Sequence, residues 1–149
     1  MVKKLGFILV THGDIGRSLL DVARYILGRG LDNFAVVKVP FMSELQESRG
    51  ADASAPFAAR EKFIREKING ARDLLDQCDG ILILTDVLGG TGFNVARQLM
   101  RRDEGVVIAG VNLPMVLKAA ELETSNPGAA AAELADRSRR AIVCRAPLG

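Results

Sequence analysis

The sequence contains a single histidine, His12. One imidazole excludes any site that needs two, such as a multi-histidine metal centre or relay. Cysteine is also scarce. Cys78 and Cys144 are too few for a disulfide scaffold, and no CxxC occurs. They read as small apolar packing groups in a reducing compartment. Neither sign of charge dominates: 20 basic residues against 18 acidic give a net +2. That bias is too weak to imply a nucleic acid or a membrane surface as partner. Long hydrophobic runs are missing too. The longest mostly apolar stretch, residues 106–117, is too short to cross a bilayer and contains Asn112. The start, Met-Val-Lys-Lys, runs into a strand-like segment too short for a signal-peptide core. A cytoplasmic protein with no direct membrane insertion is the expectation.

What is present is an ordinary globular composition, 48% apolar and 26% charged, which argues against a disordered or low-complexity chain. At 149 residues the chain suits a single domain, residues 1–149. Residues 5–10 (LGFILV), 34–39 (FAVVKV), 81–85 (ILILT) and 106–109 (VVIA) are short apolar runs that read as strands, the first and third of them buried. A helix follows the first, with Ile15, Leu19, Ala23, Ile26 and Leu27 at helical spacing and Gly28 as a stop. Ile64, Ile68, Ala71 and Leu75 mark a second helix, with Glu61 and Arg65 as an i,i+4 pair. Further helices are expected over residues 93–100, from Pro114 to about residue 123, and over residues 129–140. Residues 42–56 lack periodicity and read as loop; residues 141–144 (AIVC) read as a last short strand.

Four strands alternating with helices predict an α/β fold: a doubly wound, mainly parallel four-stranded sheet with helices on both faces. Ligands of such folds bind beyond the carboxyl ends of the strands, where the strand order reverses. His12 follows the first strand, Asp86 and a glycine-rich loop the third, and Gly110-Val111-Asn112 the fourth. With strands one and three adjacent, these segments meet at one rim. A histidine there can be a nucleophile, a general base, a metal ligand or a plain surface residue. Asp86 is either the carboxylate that fixes the imidazole tautomer or a helix cap. Gly89-Gly90-Thr91-Gly92 can turn backbone N–H groups toward an anion at a helix start, or simply make a tight turn. It matches neither a Walker loop nor a full GxGxxG, so nucleotide binding has no support. Arg137, Arg139, Arg140 and Arg145 form a basic stretch that reads as a solvated face or subunit contact.

Three motifs in order resemble one family: Thr11-His12-Gly13; Thr85-Asp86-Val87-Leu88-Gly89-Gly90-Thr91-Gly92-Phe93-Asn94; and Gly110-Val111-Asn112-Leu113-Pro114-Met115. Together they are similar to the mannose-type enzyme IIA domain of the bacterial phosphoenolpyruvate:sugar phosphotransferase system. The resemblance implies a cytoplasmic phosphocarrier. His12 would accept a phosphoryl group on Nε2 from phospho-HPr and pass it to a IIB domain or other acceptor, with Asp86 orienting the ring. Thr11, Gly13, Gly89, Gly90, Thr91 and Gly92 would bind the phosphoryl group, with Asn94, Asn112 and Pro114 in support. No metal or organic cofactor is implied. The family forms dimers that exchange an antiparallel last strand, here residues 141–144.

Two departures stand out. Gly92 occupies a position that is usually proline, and Thr91 one that is usually serine. Residues 42–57 are also longer than is usual for the family, and they follow strand two at the same rim. They leave open a regulatory module of the same fold, whose phosphorylation state selects partners without sugar import. A small tetrapyrrole metal chelatase also places His-Gly after its first strand, but needs more ligands than one histidine supplies.

Overall fold

The computed structural model describes residues 4–49, 56–100 and 105–148. Among these, strands β1 (Gly6–His12), β2 (Phe34–Val39), β3 (Ile81–Thr85) and β4 (Gly105–Ala109) form one sheet of order β2-β1-β3-β4, parallel throughout. The helices are α1 (Ile15–Leu27), α2 (Met42–Arg49), α3 (Pro56–Leu74), α4 (Thr91–Leu99), α5 (Leu113–Glu121) and α6 (Pro127–Arg140).

Strand side chains alternate between faces, and both faces of the central strands are apolar. Phe7 and Leu9 of β1 and Leu82 and Leu84 of β3 pack against Leu20, Ala23, Met115, Val116 and Leu134 of α1, α5 and α6. Ile8, Val10, Ile81 and Ile83 point the other way, onto Ile64, Ile68, Val95 and Ala96 of α3 and α4. The result is a three-layer sandwich with two separate apolar cores, in which each fully buried Leu or Ile contributes about 1.5–3 kcal/mol. Phe7 stacks on Phe34 with ring centroids 4.8 Å apart, joining β1 to β2.

Helix ends follow local chemistry. Gly28 ends α1 in the left-handed region at φ +63°. Asn112 and Asn126 cap α5 and α6, each accepting a backbone N–H at 2.9 Å, with a proline in each first turn.

Four readings of the sequence are corrected. The first strand runs on to His12, whose backbone is in register with Val39 of β2, so the histidine sits on a strand rather than a loop. In α1, Ile15 and Ile26 are exposed, while Gly16, Leu20 and Ala23 are buried. Arg65 donates to Gln98 of α4 at 2.6 Å. Residues 42–49 are helical, not loop: Glu44 accepts the Phe41 N–H and the Lys38 ammonium, each at 2.8 Å, and Leu45 turns inward. These local bonds organise a turn that has no apolar stripe to reveal it. Residues 50–55 lie outside the described residues. In the single chain, residues 141–144 follow α6 with Ile142 and Val143 exposed and pair with no strand of its own sheet, so the expected pairing is one with a second copy. Of the cysteines, Cys78 packs against the α3–α4 core, and burial pushes its thiol pKa up; Cys144 is exposed.

Because the two cores are on opposite faces, Leu134→Ala and Ile64→Ala remove independent contacts. Each is expected to cost about 2–5 kcal/mol, and the double variant their sum within about 0.5 kcal/mol, read by urea denaturation.

Candidate active site

The strand order places the reversal between β1 and β3: the chain leaves β1 for β2 on one side and returns to β3 on the other. Val10 is in register with Thr85, so the residues just beyond meet across the crevice. Asp86 Oδ2 accepts the His12 backbone N–H at 2.8 Å and faces His12 Nδ1 at 2.9 Å. A carboxylate only accepts, so Nδ1 carries the ring proton and Nε2 keeps its lone pair free. The other Asp86 oxygen accepts the Val87 N–H at 2.9 Å. The side chains of His12 and Asp86 are 29% and 14% exposed. The carboxylate is therefore sheltered, while the imidazole stays within reach of a partner. Burial works to raise the Asp86 pKa, but the His12 backbone N–H, the imidazole and the Val87 N–H together hold it below the usual value. Of the two readings of Asp86, the geometry selects the imidazole partner.

Strand parity decides what surrounds each residue. Thr11 continues the Leu9 side, facing α1. It is fully buried, and its Oγ1 accepts the Gly16 N–H at 2.7 Å. Its hydroxyl thus braces the start of α1 away from the imidazole. His12 continues the Val10 side, toward α3 and α4. A Cβ on Gly90 would lie 3.6 Å from His12 Cε1, and one on Gly92 would lie 2.9 Å from Val39 Cγ2 and 3.0 Å from Val10 Cγ1. The missing side chain at Gly92 lets the start of α4 lie directly against the sheet, with Gly90 within contact distance of the ring. Gly89 (φ +77°) makes the turn before it, and Asn94 Nδ2 ties α4 to the Gly89 carbonyl at 3.1 Å. Gly13 (φ +53°) turns the chain out of β1, beneath Phe41.

Gly90 is the α4 N-cap and supplies no capping side chain. The N–H groups of the first turn, at Thr91, Gly92 and Phe93, have no intrahelical acceptor and form a short anion-favouring row beside the imidazole. Thr91 Oγ1 accepts from Arg60 Nη1 at 3.3 Å. Asn112 and Pro114 start α5, and Asn112 spends its side-chain oxygen on Met115. Among the described residues no group of three or more His, Cys, Asp or Glu is placed to hold a metal ion.

Arg60 was not among the residues singled out from the sequence. Its signal was topological: α3 leaves the rim after β2 and returns to β3, so its first turns must lie at the rim.

The family model of the PTS system fructose IIA component matches residues 59–136. The chain belongs to that family. The matched stretch contains Arg60, Asp86, Thr91 and Pro114; His12 precedes it. This IIA-family chain is also 31% identical over 124 residues to the PTS system mannose-specific EIIAB component of Escherichia coli strain K12, covering 83% of this chain and 33% of that protein. It spans about a third of the length of the curated relatives it matches. Among solved structures it is similar to the mannose/sorbose-specific IIA subunit of the phosphotransferase system from Enterococcus faecalis, with TM-score 0.74, 25% identity and 98% of each chain covered. The fold is shared with phosphotransferase system component EIIA from Streptococcus agalactiae, with TM-score 0.70, 23% identity and 94% and 96% of the two chains covered.

With its pKa depressed in the folded state, the Asp86 carboxylate contributes stability that is complete above the unfolded-state value of about 3.9 and is lost as pH falls through the folded value. The stability gap between wild type and Asp86→Asn is therefore expected to be widest above about pH 5 and to shrink toward pH 3, measured by thermal melts across that range.

Proposed function

We propose that this chain is a phosphocarrier of the sugar phosphotransferase system. His12 takes a phosphoryl group from the phosphohistidine of HPr and passes it to a IIB-type acceptor. The observation that carries this reading is the double hold of Asp86 on His12, at its backbone N–H and at Nδ1. It presents Nε2 as the only free nucleophilic nitrogen of the ring. In the step, the donor's nitrogen–phosphorus bond breaks and its electron pair returns to the donor imidazole. The Nε2 lone pair forms the new bond, and the Nδ1 proton stays on the ring, held by Asp86. The carboxylate steadies the positive charge that builds on the ring.

The backbone N–H row at the start of α4 and the Thr91 hydroxyl are the groups we assign to the phosphoryl oxygens, in a site formed by Gly13, Gly89, Gly90, Thr91 and Gly92. No metal or organic cofactor enters this scheme: phosphoryl transfer asks chiefly for positioning and charge stabilisation. Ile15, Phe41, Val87 and Leu88 are exposed apolar side chains on the segments that flank His12 and Asp86. Such a border suits a donor and an acceptor that are themselves proteins.

The same reading makes residues 1–149 one IIA unit, acting in the cytoplasm as a homodimer. Among the described residues no helix is long and apolar enough to cross a membrane. The half-exposed edge of β4 borders a cavity of about 640 Å³ lined by Val106, Ile108, Ala135 and Ile142, and the tail beyond α6 is exposed. Both are free to pair with a second copy, and sedimentation equilibrium is expected to give twice the chain mass.

Mixed with phosphoenolpyruvate, enzyme I and HPr, the protein is expected to gain one phosphoryl group by intact-mass analysis. His12→Ala should gain none, and Asp86→Asn should label at least about tenfold more slowly. Labelling of the His12→Ala variant at the wild-type rate would sink the proposal.

A further inference from the structure

Arg60 lies near the start of α3 and reaches across the rim between two elements that border His12. Its Nε donates to the Pro40 carbonyl at 3.0 Å, just past β2, and its Nη1 donates to Thr91 Oγ1 at 3.3 Å. The side chain is half-buried, yet no carboxylate among the described residues pairs with it, and its remaining donors have no partner there. Neighbouring charges are matched: Lys38 pairs with Glu44, and His12 with Asp86. A guanidinium stays charged at any physiological pH, and partial burial without a counter-ion costs free energy. Arg60 is thus an aimed, unbalanced positive charge at the one rim where a phosphoryl group would arrive.

We infer that Arg60 is a phosphoryl-binding residue, which acts with the Thr91 hydroxyl to hold the group being transferred to or carried on His12 Nε2. The inference rests on the phosphocarrier reading and goes beyond it, because it assigns the cation that reading lacks. A phosphoryl group carries about −1.5 to −2 charges at neutral pH. On Nε2 it stands across one imidazole ring from the Asp86 carboxylate. The carboxylate that activates the ring therefore also repels the incoming group, and a fixed cation on the far side offsets that repulsion. The placement fits. His12 projects to the α3–α4 side of the sheet, Gly90 stands beside its Cε1, the carbon between the two ring nitrogens, and Thr91 is the next residue. Because Thr91 Oγ1 already accepts from Arg60, its own proton is left to donate elsewhere. Guanidinium and hydroxyl are thereby joined to each other at the helix start that borders the ring. Arg60 adds no chemistry of its own: the nitrogen–phosphorus bonds exchange as described above, and no proton moves to or from the guanidinium.

The test follows phosphoryl transfer from phospho-HPr to the full-length protein under steady-state conditions, comparing wild type, Arg60→Gln and Arg60→Lys, with thermal melts alongside. Arg60→Gln is expected to lower the maximal rate on the order of 100-fold, with KM for phospho-HPr changed less than about twofold. Arg60→Lys, which keeps the charge but loses the forked geometry, should recover a substantial part of the rate. An unchanged rate in Arg60→Gln overturns the inference. So does a rise in KM alone, which would make Arg60 a docking residue. Equal loss in Arg60→Gln and Arg60→Lys with matching drops in melting temperature overturns it too, leaving Arg60 as a brace between Pro40 and Thr91. Failure of the wild type itself to accept phosphate overturns the phosphocarrier reading, an outcome separate from the other three.

Discussion

The parallel pairing of β1 with β3 is the constraint on which the site depends. It aligns Val10 with Thr85, so that His12 and Asp86 emerge side by side at the carboxyl rim. The alignment is rigid because both strands are apolar on both faces and carry a core on each. A slip of one residue would move the carboxylate by about 3.3 Å and swap every strand side chain to the wrong face. The cost of such a slip is counted in buried leucines and isoleucines, far more than a pair of hydrogen bonds supplies. The chemistry of the rim is thus positioned by hydrophobic burial some distance from it.

Strand alternation then sorts the rim. Thr11 and His12 are neighbours in sequence but serve opposite layers. Thr11 braces α1, while His12 looks toward α3 and α4. The second layer is where glycine matters. Gly92 leaves almost no space for a side chain against Val10 and Val39, and Gly90 stands within contact distance of the imidazole, so the start of α4 lies close to both sheet and ring. A Cβ at position 92, such as a proline would bring, would stand 2.9–3.0 Å from methyl groups of Val39 and Val10 and force them to shift. Gly92 and the close packing around it belong together.

Much of this was legible in the residues. Residues 34–39 and 81–85 were bounded correctly because continuous apolar runs between polar turns admit few alternatives. The start of α5, capped by Asn112 with Pro114 in its first turn, rests on local chemistry that acts within three residues. His12 and Asp86 could be paired from their places after strands one and three. Other features were hidden for stated reasons. The helix over residues 42–49 is organised by Glu44 bonding to Lys38 and Phe41, a local polar arrangement without hydrophobic periodicity. Ile15 and Ile26 match helical spacing yet are exposed, because periodicity does not say which edge of an apolar stripe meets the sheet.

By itself, the sequence determined the strands and most of the helices, and the identity of the only imidazole. All of these follow from residue type and spacing along a few turns of chain. The tertiary structure alone decided the face to which each rim side chain turns and the company it keeps. The free Nε2 depends on an Asp86 74 residues away in sequence, and the Arg60 contact with Thr91 spans 31. Separations of that kind are set by strand register and by the path of the α3 crossover, which no local pattern encodes.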